Sequence, residues 1–245
     1  MVEINGHPVF FPAILAASIS IFFPDDKQIE SYSIAVLIFY SWIALILLYL
    51  IGRQVGMSNV WCMLSILLLL FASPWLAYSR MLFTETFCSL MLLAALLCLL
   101  HKRIKMCGVL ISVAMAIKPL HVVIGFGWII YLFIKRRYKE AFVLILTIGF
   151  LGMGVSLFNY WLVGTIFLTG NIDFGFISSL SKISEELTDL HHGLFLFAPW
   201  TIFVFWWLIK SFIRTSEKEP DLEFLIALPT LLYFIVISRN SLFKY

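Results

Sequence analysis

Four polar clusters stand at unusual places in this sequence, each beside or inside a long apolar run. Arg80 and Glu85 follow one such run, and Lys118 sits before a proline in the middle of another. Asn159-Tyr160-Trp161 closes a third run, and His191-His192 precedes a fourth. Polar groups at membrane depth are costly, so their position carries information. Together they offer two cations, a carboxylate, an amide and imidazoles. Cations neutralise a phosphate, and a carboxylate can hold a divalent metal ion, Mg or Mn, that bridges it. The chemistry this set suits is recognition of a lipid-linked phosphate. Each residue also has a plainer reading. Arg80 can snorkel to an interface, and Glu85 can favour the N-terminus of the helix after it. Lys118 can mark a loop tip, Asn159 can bond across helices, and adjacent histidines point apart and make no metal motif alone.

The elements that must position these residues are membrane segments. The chain is 62% hydrophobic and 13% charged, with a mean hydropathy of +1.01. A soluble domain has roughly 25% charged residues, and one soluble core of this length could not hide so much apolar surface. Apolar segments run over 8–23, 33–52, 60–78, 86–100, 106–117, 119–134, 141–163, 194–213 and 223–238. The expected fold is all-α, a polytopic transmembrane helical bundle of about seven to nine membrane segments in one module, 1–245. A full span needs about 20 residues, which 33–52 and 60–78 supply and which 86–100 reaches if Met81 to Thr84 extend it. Segment 8–23 reads as a short span or as a helix lying on the membrane. The stretch 106–134 carries basic clusters at both ends and Lys118-Pro119 in its middle, which predicts two short helices rather than one. The four cysteines lack CxxC spacing and read as small apolar packing groups.

Basic residues orient the bundle. Linkers 53–59, 101–105, 135–140 and 210–222 hold Arg53, Lys102, Arg103, Lys105, Lys135, Arg136, Arg137, Lys139, Lys210, Arg214 and Lys218. These are eleven of the seventeen Lys and Arg residues, which makes that side cytoplasmic and the chain a multi-pass protein of the inner membrane. The candidate residues then gather on the outer, periplasmic side. Loop 164–193 falls there too, and its Ile177, Leu180, Ile183, Leu187 and Leu190 predict an amphipathic helix, either interfacial or packed on the spans.

At these residues the sequence resembles the GT-C glycosyltransferases, the membrane enzymes that use polyprenyl-phosphate sugars, especially bacterial relatives of the protein mannosyltransferases. SPWLAYSRMLFTETF, Ser73 to Phe87, resembles the family's proline–tyrosine–acidic segment. FNYWLVGTIFLTGN, Phe158 to Asn171, is similar to its asparagine–tyrosine turn, and HHGLFLFAPW, His191 to Trp200, to the entry of a later span. CGVLISVAMAIKP, Cys107 to Pro119, resembles its short glycine-led helix ending in a basic residue and proline. The resemblance implies transfer of a sugar from a polyprenyl-phosphate donor to an acceptor of unknown identity at the cell envelope. It implies that Arg80, Lys118 and His192 contact the donor phosphate and that Tyr78, Asn159 and Tyr160 line the substrate site. Glu85 would hold a metal or orient the acceptor. In that family an acidic residue in the first outer loop is the general base. EINGHPVFFPAILAAS resembles the segment just after that loop, and relatives continue past RNSLFKY, so the first span, the base and the C-terminal part are expected to lie outside this chain. Asp25 and Asp26 read as a solvated turn or, less directly, as a substitute base. The expected partners are membrane lipid, the donor and the acceptor, and no nucleic acid. Two alternatives stay open: a non-catalytic membrane subunit that binds lipid phosphate, and a transporter of lipid-linked sugars.

Overall fold

The computed structural model describes residues 10–21, 28–71 and 84–163, with residues 206, 209–210, 225–226, 228–230 and 232. Every regular element among the described residues is helical. In chain order they are α1 (Phe10–Ser20), α2 (Ile29–Gln54), α3 (Asn59–Phe71), α4 (Glu85–Leu100), α5 (Ile104–Ile117), α6 (Val122–Ile134) and α7 (Tyr138–Val163). The chain divides into two compact units, Met1–Pro119 with Thr147–Leu168, and Leu120–Leu146 with Thr169–Tyr245.

Two described helices, α2 and α7, are long and apolar enough to cross a membrane. Each has 26 residues, about 39 Å at 1.5 Å per residue, against a hydrocarbon layer of about 30 Å. Only 33% of the apolar window of α2 and 17% of that of α7 is buried, which leaves most of each window exposed. On α2 the exposed side chains Phe39, Trp42, Ile46 and Leu50 recur at three and four residues, opposite buried Ser33, Leu37, Ser41 and Ala44. On α7 Phe142, Leu146, Phe150, Met153, Leu157 and Trp161 make a second exposed stripe. Apolar stripes of this length need a partner other than water.

In the first unit α1 packs on α2 and α5, α2 on α4, and α4 on α5, which closes a ring of four helices; α3 lies against α2. The ring shares one apolar core. Leu37 of α2, Phe87 and Cys88 of α4 and Ile117 of α5 are buried together, with Ile14 and Leu15 of α1, Tyr40, Met91 and Val113 packed against them. The described part of segment 8–23 is α1, 11 residues long, and its Ile14 and Leu15 pack on the ring core. The described part of α4 begins at Glu85, with the Cys88 N–H donating to the Thr84 carbonyl, and the extension over Met81 to Phe83 that the sequence allowed lies outside the described residues. The described part of the 60–78 segment, residues 60–71, lies in α3. Segments 194–213 and 223–238, apart from the scattered positions named above, and the 164–193 loop lie outside the described residues.

The break in 106–134 falls where the sequence predicts it. Helix α5 ends at Ile117, Lys118 is extended (φ −133°, ψ 102°), and Pro119–His121 form a single 3-10 turn before α6. Proline's ring drives the residue before it out of the α region, which accounts for Lys118. In the second unit Gly127 of α6 admits the backbone of Pro229, since a Cβ there would lie 2.6 Å from the Pro229 Cα. Beside it the Trp128 Nε1–H donates to the Leu225 carbonyl at 3.2 Å.

Candidate functional site

The α4–α5 turn is short, residues 101–103, so the two helices run antiparallel and the start of α4 meets the end of α5. The helices have 16 and 14 residues, about 24 and 21 Å, and their far ends therefore nearly coincide. This geometry brings Glu85, the first residue of α4, to Lys118, the residue just past α5. The two side chains form an ion pair across 33 positions of sequence, Lys118 Nζ donating to Glu85 Oε1. The Thr84 hydroxyl donates to the other carboxylate oxygen at 3.4 Å.

Helix electrostatics favour each partner separately. A carboxylate at a helix N-terminus and a cation at a C-terminus are each worth roughly 0.3–1 kcal/mol. Both side chains stay 39% exposed, so the pair is open enough for a ligand to compete for either partner. An exposed pair of this kind adds only about 0–1 kcal/mol to stability. Its floor is apolar: Phe87 and Cys88, two and three residues after Glu85, and Ile117, just before Lys118, are buried in the ring core. That floor is braced. Tyr40 stacks edge-on against Phe87 with ring centroids 5.1 Å apart, and its hydroxyl lies 2.6 Å from Ser18 Oγ. Ser18 gives its own proton to the Ile14 carbonyl at 2.8 Å, so Tyr40 is the donor to Ser18.

Of the residues singled out from the sequence, Glu85 and Lys118 are thus brought together. Tyr78, Arg80 and His192 lie outside the described residues, and Asn159 lies in α7 without a described side chain. Tyr160 is exposed near the end of α7, beside Phe158 and Trp161, whose rings lie 6.2 Å apart. No hydrogen bond joins Tyr160 to the pair among the described residues, and its surroundings suit an interfacial aromatic. Among the described residues no group of three His, Cys, Asp or Glu could hold a metal ion, so Glu85 could serve only as one ligand of several. Cys62, Cys88 and Cys107 are buried and Cys98 is partly so; all four are free thiols, in keeping with packing.

Sequence reasoning passed over Thr84, Tyr40 and Ser18. Thr84 carried a signal, a hydroxyl residue directly before the acidic start of a helix. The Tyr40–Ser18 bond joins helices 22 residues apart and had none.

No curated protein and no solved structure matches the chain. The sequence model of glycosyltransferase family 87 matches residues 11–238, a stretch that includes the helical ring from residue 11 onward and the ion pair. A match over nearly all of the sequence, on a chain whose long apolar helices point to a membrane protein, leads to one conclusion: the chain belongs to glycosyltransferase family 87.

Proposed function

We propose that the chain transfers a sugar from a polyprenyl-phosphate donor to an acceptor at the outer face of the inner membrane, with the Glu85–Lys118 pair at the donor phosphate. The observation that supports this reading is the pair itself, a half-open cation and carboxylate at one end of an apolar helical ring. The donor phosphate is a diester with one negative charge, a match for the carboxylate as a partner of the Lys118 ammonium, and it gains a second charge as the sugar leaves, which draws Lys118 from Glu85 as transfer proceeds. In the transfer an acceptor oxygen attacks the anomeric carbon while the bond from that carbon to the phosphate oxygen breaks. The electron pair leaves with the phosphate, and the acceptor proton passes to a base. Lys118, with Arg80 and His192 from the sequence reading, would stabilise the charge that grows on the departing phosphate. Glu85, once released, is a carboxylate free to orient the acceptor hydroxyl or to enter the shell of a Mg or Mn ion. Such an ion would draw its other protein ligands from beyond the described residues. Tyr78, Asn159 and Tyr160 belong to the same proposal as substrate contacts.

Donor binding tests this through a difference of sign. In the purified full chain Lys118→Gln should weaken binding of a polyprenyl-phosphate sugar about ten- to a hundredfold, the worth of a charge-assisted contact. Glu85→Gln removes the competitor for Lys118, so it should bind the donor as well as or better than the parent while transferring less sugar. If Lys118→Gln binds normally, or both variants lose affinity alike, the pair is not the phosphate site. A second reading, a non-catalytic subunit that binds lipid phosphate, draws support from the carboxylate of Glu85 being engaged by Lys118. It requires donor binding that depends on Lys118 with no sugar transferred by any form of the chain.

A further inference from the structure

The end of the α4–α5 hairpin away from the ion pair carries His101, Lys102, Arg103 and Lys105, all exposed. No carboxylate among the described residues forms an ion pair with Lys102, Arg103 or Lys105. The turn is closed by two backbone bonds, Lys102 N–H to the Leu99 carbonyl at 3.0 Å and Arg103 N–H to the Cys98 carbonyl at 2.7 Å. This is the Schellman arrangement, and its closing residue must take a left-handed conformation. The α2–α3 turn has the same pair of bonds and places Gly56 there, at φ 86°. The α4–α5 turn places Lys102 there, at φ 60°, and the α6–α7 turn, in the second unit, places Arg136 there, at φ 57°. Glycine is the residue this geometry favours. Twice the chain accepts a strained side chain instead, and both times it is basic.

We infer that the α4–α5 turn is a contact surface for the anionic headgroups of the membrane leaflet at that end of the hairpin. The turn lies about 24 Å along α4 from Glu85, so its charges stand just beyond a length of helix comparable with the hydrocarbon layer. Met106, one residue past Lys105, is exposed and apolar. Positive charge directly above exposed apolar side chains matches the step from acyl chains to phosphates in a bilayer. Zwitterionic headgroups bring their own ammonium groups and leave the excess charge of the turn unmatched; anionic phospholipid supplies it. The α6–α7 turn repeats the placement with Lys135, Arg136, Arg137 and Lys139, partly offset by the Arg137–Glu140 pair, in which Arg137 Nε donates at 2.8 Å. This inference does not depend on the proposed sugar transfer.

The test uses the purified full chain in nanodiscs of phosphatidylcholine with a minority of phosphatidylglycerol. Retention of each lipid is read by mass spectrometry of the intact complex, and the unfolding midpoint is read in parallel. The parent chain should retain phosphatidylglycerol preferentially and unfold later when it is present. Each basic residue near an anionic leaflet is worth roughly a fivefold change in affinity. Lys102→Gly, which suits the backbone, should therefore cost about fivefold in lipid preference. Lys102→Gly with Arg103→Gln and Lys105→Gln should cost tenfold or more, while Arg103→Lys with Lys105→Arg keeps the preference. The inference is overturned if the neutral triple variant retains phosphatidylglycerol like the parent, or if the charge-keeping variant loses it equally. Displacement of the lipid by inorganic phosphate at comparable concentration would also overturn it, because the turn would then be a site for a free anion.

Discussion

At one end of the α4–α5 hairpin Lys118 has a partner inside the protein, Glu85; at the other end Lys102, Arg103 and Lys105 have no carboxylate partner among the described residues. The ends differ in backbone as well. The first is a break, where proline stops α5 and leaves Lys118 extended over an apolar floor. The second is a tight turn whose closing position is filled by a strained lysine. A cation beside an internal carboxylate can stay folded without a ligand and yield to one that competes. Cations left unmatched need something outside the protein. The same residue type thus serves two purposes, and the difference lies in whether its counter-charge is built in.

The largest effect that would break this contrast is one of sidedness. If the ends face opposite sides of a membrane, single cysteines at Lys102 and at Thr84 should react oppositely with an impermeant maleimide in intact cells. Lys102→Cys should be protected and Thr84→Cys labelled, in a background where the partly exposed Cys98 is serine. Equal labelling, or the reverse, would remove the orientation on which the donor proposal rests. Next in size is the floor under the pair. Leu37 is fully buried where α1, α2, α4 and α5 meet. In soluble cores Leu→Ala costs about 2–5 kcal/mol, part of it the transfer of apolar atoms from water. Between helices in lipid that part falls away and the packing loss remains, so Leu37→Ala should cost about 2 kcal/mol in a reversible unfolding titration in micelles. A cost near zero would mean that the ring is not packed under the pair.

Much of the arrangement around the pair was legible in sequence, for reasons that are local. Pro119 fixes the break whatever surrounds it, and a lysine inside an apolar run demands an anion, for which Glu85 was the nearest candidate. The ring closed by α1 was hidden, because a short apolar segment reads alike whether it packs on a bundle, spans a membrane or lies in an interface. The strained basic turns were missed for another reason. Counting Lys and Arg assigned a side to the loops, and nothing in a count reveals that Lys102 and Arg136 occupy positions suited to glycine. Arg80 and His192 lie outside the described residues, and their part in the site rests on the sequence alone.

The smallest expected effect is also the sharpest on the basic end, because it compares two turns of the same geometry. A left-handed conformation costs an L-residue about 1–2 kcal/mol, and glycine gives back about 0.4–1 kcal/mol through the greater freedom of its unfolded chain. At Lys102 both Lys102→Gly and Lys102→Ala remove the charge and its favourable place at the C-terminus of α4. Their difference therefore isolates the backbone, and the glycine variant should be the more stable by about 0.5–1 kcal/mol. At Gly56 the same comparison runs backwards: nothing lies within 4 Å of a Cβ built there, so Gly56→Ala adds strain without a clash and should lose a similar amount. Thermal unfolding of the three variants beside the parent measures both. If Lys102→Gly and Lys102→Ala are equally stable while Gly56→Ala is destabilised, the lysine turn is not strained. Charge would then have been placed there at no structural cost, and the contrast between the two ends would rest on ion pairing alone.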